Sequence, residues 1–388
     1  MTATAGGAKL EEHISAICFL LDSAPRNWIG QQEIHLRLCR VLKKRGIRVV
    51  LVYAEGVSPD VVRKLQEAGA EIEILGYGKR RYRYYKELGR IFKKYSISMV
   101  HVAYFDYFSL IPWFARLHGV KHIIYEELNS GMMTATSWKR SLLRLRTSLM
   151  SLPMKRVIAV SEFIKQDLIN RGIREDDIVV RYLAADELKF KPDSEARELW
   201  AASHGISPNE LVMSSVTLLR PFKSPETLVE ACSVLAQRGV KAHLFVAGDG
   251  AMLDSLKELS QRLGVEDRIH WLGFCSDPTS LIQASDVFLL ASVAEAGAFV
   301  LSEAMGCGVP IVGSRSGVIG EFVEEGQTGF LATPKDPSAF ADAIERLARD
   351  ESLRSTMRKN SRERMLQRFT IDIHVANTIE IYESMFTG

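Results

Sequence analysis

The sequence predicts an α/β protein built on two doubly wound parallel sheets, and three observations carry that reading. At 388 residues the chain exceeds what one ordinary core organises, so two domains are expected. From residue 15 to about 161, short apolar runs alternate with helical patterns, which is the signature of βαβ units. The same alternation restarts at residue 211.

Taken in order, SAICFLLD (15–22) is a short apolar run and reads as a buried strand. GQQEIHLRLCRVLKKRG (30–46) has helical periodicity and ends at Gly46, a residue that stops helices at no steric cost. IRVVLVYA (47–54) is the next strand, 61–68 a short helix, EIEILGY (71–77) a strand and 82–95 a basic helix. SMVHVAYF (98–105), a helix to about His118, KHIIYEE (121–127) and KRVIAVS (155–161), taken as the last strand, complete the front half.

In the back half, LVMSSVTLL (211–219), KAHLFVAGDG (241–250), RIHWLGF (268–274), DVFLLAS (286–292), PIVGS (310–314) and GFLAT (329–333) read as strands. Helices are expected at 225–239, 252–263, 278–284 and 300–307, the last stopped by Gly308-Val309-Pro310, and two more close the chain. KFKPDSEARE (189–198) is polar and holds a proline, so the halves are divided there: 1–190, 191–370, and a final helix over 371–388. Two similar sheets in one chain predict a cleft between them, with ligands outside the carboxyl ends of the strands.

Bulk properties narrow the class. No apolar stretch approaches the roughly 20 residues that span a bilayer. The start, MTATAGGAKLEEH, lacks the basic-then-apolar order of a signal peptide and reads as a frayed tail. The five cysteines are scattered without paired spacing, which predicts reduced thiols in a cytoplasmic setting and no structural zinc. Net charge is +3, but 1–190 carry 31 Lys/Arg against 20 Asp/Glu, leaving the remainder net acidic. A basic front half is expected to meet something anionic.

Candidate site residues lie mainly in the back half. In VTLLRPFKSPETL, Arg220 and Lys223 follow the first strand, and two cations at the mouth of a parallel sheet suit a diphosphate. Gly248, in AGDG, marks a turn after a strand. Phe274 and Cys275, in LGFCSD, stand where a flat base could lie against ring and backbone; an ordinary core Phe is the alternative. EAGAFVLSEAMGCGVPIV (295–312) places Glu295 on a loop at the carboxyl end of a strand and Glu303 inside the following helix. The amides of Gly297, Ala298, Phe299 and Val300 begin that helix without partners, and such amides attract phosphates or sugar hydroxyls. A carboxylate accepts from vicinal hydroxyls, so Glu295 suits a sugar and Glu303 a ribose.

In this order, LLRPFKSPETLVEA, HLFVAGDG, RIHWLGF, ASDVFLLAS and EAGAFVLSEAMGCGVPIVGSRSGVIGEFVEEGQTGFL resemble glycosyltransferase family 4, retaining enzymes of the two-domain GT-B fold. Glu295 and Glu303 match that family's Glu–seven–Glu motif; the front half matches its layout through NWIGQQEIHLRLCRVLKKRGIRVVLV and KRVIAVSEFIKQDLINRGI. The resemblance implies two Rossmann-like domains, the first for the acceptor and the second for the donor. It puts Glu303 on the nucleotide ribose, Glu295 by the donor sugar hydroxyls and Lys223 on the diphosphate. The loop at Trp28-Ile29-Gly30-Gln31 would touch the diphosphate or the acceptor, and Ser161, a helix cap, would border the cleft. The closing helix from about Ile371 would cross back to the front domain.

The chain departs from the family pattern at four places. Ala296-Gly297-Ala298 stands for Gly-Phe-Gly, and Leu218 occupies the place of the usual arginine, for which Arg220 would substitute. Tyr182-Leu183-Ala184 stands for Pro-Asn-Gly, and HIIYEELNSG lacks the expected histidine, leaving His101 as the nearest one. The implied reaction moves a sugar from a UDP-, GDP- or ADP-sugar to an acceptor hydroxyl with retained configuration, with Arg/Lys and helix amides in place of a metal and no further cofactor. A sugar-nucleotide epimerase or phosphorylase of the same fold, or a non-catalytic nucleotide-sugar-binding partner, is the alternative.

The acceptor is expected among sugars, lipid-linked molecules and small molecules. GKRRYRYYKELGRIFKKY (78–95) interleaves Lys79, Arg80, Arg81 and Arg83 with tyrosines, which predicts reversible docking on an anionic membrane surface, the inner leaflet for a cytoplasmic protein. SWKRSLLRLRTSLMSL (137–152) aligns Trp138, Leu142, Leu145 and Leu149 on one face and reads as an ordinary helix packed on a core. The basic and aromatic residues match no nucleic-acid-binding module, so no nucleic acid is expected.

Overall fold

The computed structural model describes residues 9–25, 28, 30–53, 56–75, 81–104, 109–128 and 137–386, without the side chains of 81 and 137–143. It divides into two compact units, Met1–Tyr182 with Ile371–Gly388, and Leu183–Thr370.

The first unit holds seven parallel strands: β1 (Ala16–Leu21), β2 (Arg48–Tyr53), β3 (Ala70–Ile74), β4 (Met99–Ala103), β5 (His122–Glu127), β6 (Arg156–Ala159) and β7 (Ile178–Val180). Their order is β3-β2-β1-β4-β5-β6-β7. Every residue of β1 and β4 is buried, as expected of central strands covered on both faces. β7 is an edge strand absent from the sequence reading, which ended this sheet at 155–161. Three residues, Ile-Val-Val, are too few to show a period, and only pairing with β6 fixes them as a strand.

The closing helix Ile371–Glu383 belongs to this first unit and packs on the helix Gly30–Lys44. Its polar side chains reach into the unit. Arg181 Nη1 donates to Thr378 Oγ1 at 2.8 Å, His374 Nδ1 lies 2.7 Å from the Tyr182 carbonyl, and Arg37 pairs with Asp372 at 2.9 Å.

The second unit holds β8 (Leu211–Val216), β9 (Ala242–Ala247), β10 (Ile269–Gly273), β11 (Val287–Leu290), β12 (Ile311–Ser314) and β13 (Gly329–Ala332), all parallel in the order β10-β9-β8-β11-β12-β13. On one face, Leu228, Leu235, Leu244, Val287, Ile344 and Leu347 form a continuous buried core. The polar run 189–198 is not unstructured throughout, because a helix begins at Ala196 and extends to His204. Among the described residues, no helix is long and apolar enough to cross a membrane.

Strand order decides where a ligand can sit. In the second unit the direction of winding reverses between β8 and β11, neighbours in space but distant in sequence. The loops leaving the carboxyl ends of these two strands therefore diverge around a crevice, the position at which open α/β sheets bind ligands.

Candidate functional site

The loop after β8 carries Arg220 and Lys223, and the loop after β11 carries Glu295. Topology thus brings together residues 72 positions apart: Lys223 Nζ and a Glu295 carboxylate oxygen form an ion pair with both side chains largely buried. The backbones are tied as well, because the Val293 amide donates to the Phe222 carbonyl at 2.9 Å. Buried Leu219 anchors the first loop, its amide donating to Asp249 and its carbonyl accepting from Met252. Arg220 is exposed and, among the described residues, makes no side-chain hydrogen bond or ion pair.

Glu295 is held from below by a segment that the sequence reading did not single out. The Val318 amide donates to the Glu295 carbonyl at 2.9 Å, and Ser316 Oγ donates to the Ser292 carbonyl at 2.6 Å. Gly317 has φ +51°, and a Cβ added there would overlap the Glu295 carbonyl oxygen. GSRSG after an apolar strand was the available signal, but a turn glycine does not reveal which backbone lies against it.

The motif helix Phe299–Gly306 starts just beyond Glu295, with Ala298 as its N-cap. Among the described residues the amides of Gly297, Ala298, Phe299 and Val300 donate to no backbone carbonyl. These open donors face a region of positive helix dipole. At the other end, Arg362 donates to the carbonyls of Gly306, Phe190 and Glu187, fixing the helix to residues 187–190.

Glu303 sits one turn into the motif helix and is half-buried, and its carboxyl meets no hydrogen-bond partner among the described residues. Burial pushes that carboxyl up to about 7; the charge of Lys189 opposes the rise and that of Asp277 adds to it. Lys189 and Asp277 themselves pair at 3.1 Å. An acidic group left enclosed and unpaired is costly unless a ligand supplies its partners.

Gly248 and Gly250 let the loop after β9 lie directly on the loop after β8. A Cβ at Gly248 would overlap the Thr217 carbonyl oxygen, and one at Gly250 the Leu219 carbonyl oxygen. Phe274 is 70 % exposed, so the core alternative for this side chain does not hold; it projects after Gly273, which has φ +67°. Cys275 is half-buried and packs beside Trp200 and Val216 on a small apolar cluster. A cavity of about 810 Å³, lined by Arg197, Glu210, Lys241, Asp286 and Arg354, opens instead at the amino ends of β8, β9 and β11, away from all these groups.

Three candidates lie in the first unit. Gly30 is the first residue of the helix that follows β1, with Gln31 and Gln32 buried behind it; Ile29 lies outside the described residues. Ser161 is fully buried and caps the helix Glu162–Asn170, accepting from the Ile164 amide at 3.2 Å. His101 is in the middle of β4 rather than at a free strand end, and is 2 % exposed. Its Nδ1 lies 2.7 Å from Tyr382 Oη and its Nε2 3.2 Å from Glu126, which is ion-paired with Arg181. Burial holds His101 below the usual histidine range, with Glu126 opposing. Its partners are side chains of the closing helix and of β5, and a reading from local spacing could not find them. Glu126 and Glu127 are buried; 129–131, the rest of the segment where a histidine was expected, lie outside the described residues.

Comparison with known proteins adds a second line. Residues 196–364 match the family described as Glycosyl transferases group 1, and residues 30–187 match Glycosyltransferase Family 4. The chain is 34 % identical over 179 residues to N-acetyl-alpha-D-glucosaminyl L-malate synthase of Bacillus anthracis, covering 46 % of this chain and 47 % of that protein. It is 31 % identical over 209 residues to D-inositol 3-phosphate glycosyltransferase of Corynebacterium glutamicum (strain R), covering 51 % and 50 %. The matched region thus spans about half the length of these curated relatives. Among solved structures, Anabaena Alr3699/HepE in complex with UDP and glucose superposes with a TM-score of 0.79 at 22 % identity, over 96 % of this chain and all of that one. Sucrose-phosphate synthase from Thermosynechococcus elongatus gives 0.76 at 19 %, over 96 % and 99 %. At such identities the structural likeness speaks for the fold, and that fold is GT-B.

Proposed function

Because the chain belongs to glycosyltransferase family 4, we propose that it is a retaining transferase that moves a sugar from a nucleoside diphosphate sugar to an acceptor hydroxyl. The observation that carries this reading is the juxtaposition, at the reversal between β8 and β11, of Lys223, Glu295 and the open amides of the motif helix. A diphosphate needs donors and positive charge, a sugar needs an acceptor of its hydroxyls, and both are supplied within one pair of loops.

In this reading the bond from the anomeric carbon to the diphosphate oxygen breaks. A bond from that carbon to the acceptor oxygen forms on the same face, and the acceptor proton passes to the departing diphosphate. Lys223, Arg220 and the amides of 297–300 stabilise the charge that develops on the leaving group, the part otherwise played by a metal. Glu295 accepts from the donor sugar and Glu303 from the ribose, while Phe274 and Cys275 flank the base. His101, held in a closed network of side chains, orients the first unit rather than touching the reacting atoms. A UDP-sugar is the first donor to try, since HepE was solved with UDP and with UDP-glucose, with GDP- and ADP-sugars beside it. The acceptor is a sugar, a lipid-linked molecule or a small alcohol, and the basic helix Arg81–Lys94 supports docking on an anionic inner leaflet; Lys79, Arg80 and the Arg81 side chain lie outside the described residues.

The test is incubation with each donor and an acceptor panel, followed by NMR of the product's anomeric proton. We expect a glycoside with the donor's own configuration, at a rate unchanged by EDTA. An inverted product, or a donor sugar altered without any acceptor, would refute the proposal.

A further inference from the structure

Apart from the donor site, the first unit presents an apolar surface that packing does not explain. On the helix Ile111–Leu117 and its N-cap, Leu110, Trp113 and Leu117 recur at intervals of three and four and so share one stripe. On the helix Ser137–Ser151 and the residue after it, Leu145, Leu149 and Leu152 do the same. Trp113 Nε1 donates to the Leu149 carbonyl at 3.1 Å, which places the stripes side by side. All five leucines are 47–81 % exposed. The buried residue in this part of the second helix is Thr147, so the helix is turned away from the core contact expected of Leu145 and Leu149. Trp138 and Leu142, the rest of that expected face, have side chains outside the described set.

The charge around this surface is predominantly positive. Between 109 and 156 the only carboxylates are Glu126 and Glu127; both are buried and ion-paired, with Arg181 and Arg171. Arg116, Lys121, Arg144, Arg146 and Lys155 are exposed. The basic helix Arg81–Lys94 adjoins through Tyr85 and Phe92 against Phe114, extending the cationic rim with Arg83 and Lys86, while Arg90 pairs with Glu87.

We propose that this two-helix face is a docking surface for an anionic lipid bilayer, with the leucines and Trp113 entering the boundary between headgroups and acyl chains and the surrounding cations meeting the headgroups. Exposed leucines alone would equally suit a second protein. A dense rim of cations, in which Glu87 beside Arg90 is the exception, suits a surface of negative charge, and it opposes a like copy of itself. The inference deepens the membrane reading above by naming the inserting residues, and its test requires no sugar transfer, so the two fail separately.

The experiment is flotation of the full chain with vesicles of phosphatidylcholine alone or mixed with phosphatidylglycerol, at low and high salt. The wild type is expected to float with the anionic vesicles, less so at high salt, and to stay down with phosphatidylcholine. Leu145→Ser with Leu149→Ser, and separately Arg144→Gln with Arg146→Gln, should each lower the bound fraction roughly tenfold, with unchanged circular dichroism because these side chains are exposed. Three results would overturn the proposal: equal or negligible flotation with both vesicles, binding lost in Arg83→Gln with Lys86→Gln but kept in the leucine pair, or a dimer that the leucine pair dissociates.

Discussion

Lys223 and Glu295 neutralise each other in the free protein, and that pairing has consequences for binding. In the proposed donor complex, a diphosphate would compete with the Glu295 carboxylate for the lysine, while the donor's sugar hydroxyls would offer the carboxylate new partners. Glu295→Gln is therefore expected to bind the bare nucleoside diphosphate about tenfold more tightly by calorimetry, while its transfer rate falls sharply. The same change leaves Lys223 without its counter-charge, so the unliganded variant should lose about 1–3 kcal/mol of stability. Weaker diphosphate binding by Glu295→Gln would contradict this account. Glu303 makes a second residue-scale prediction. Its folded pKa of about 7 lies above the unfolded value of 4.5, so between these pH values the native state holds the extra proton. Its contribution to stability is full below 4.5 and declines as pH rises toward 7, by a few kcal/mol in all. Urea unfolding of Glu303→Gln should lack that decline and show a more stable protein than wild type at pH 8. An unchanged pH profile would show that Glu303 is solvated instead. Both residue types and their spacing were legible in the sequence, as was their placement on loop and helix. The ion pair was not, since Lys223 and Glu295 meet only through the order of strands.

At the scale of elements, the site is a set of loops braced by other loops. The segment after β12 supports Glu295 through the Val318 amide and through Gly317, where only a hydrogen fits against the Glu295 carbonyl. Gly317→Ala is expected to push the Glu295 backbone out of place, costing about 1–3 kcal/mol from overlap and the left-handed backbone together and raising KM for the donor several-fold. Thermal melting and steady-state kinetics check both; wild-type values would show that the loop tolerates the methyl group. Most strands and helices could be read from period and punctuation because their apolar runs are four residues or longer and end at glycine, proline or charge. β7 escaped because it is three residues long and depends on a neighbour. On the helix Ser137–Ser151, Leu145 and Leu149 were expected on the core and are exposed instead, since periodicity reports a stripe and not what covers it.

For the molecule as a whole, the chain leaves the first unit at Tyr182 and re-enters it at Ile371. Its last helix therefore completes a unit begun more than 300 residues earlier, and Tyr382, Thr378 and His374 bring polar groups to His101, Arg181 and the Tyr182 carbonyl. Such long-range closure leaves no local mark, which is why His101 looked available to a ligand when read along its strand alone. Two sheets, family membership and a basic front half were all visible in composition, alternation and motif order. The central claim is that Lys223 and the open amides of the motif helix select a diphosphate. The most direct test is calorimetric titration of the wild type and of Lys223→Met with the mono- and diphosphates of uridine, guanosine and adenosine. One diphosphate should bind the wild type at least tenfold more tightly than its monophosphate, and Lys223→Met should abolish that preference. Equal binding of the two forms, or a preference that survives the loss of Lys223, would contradict the account.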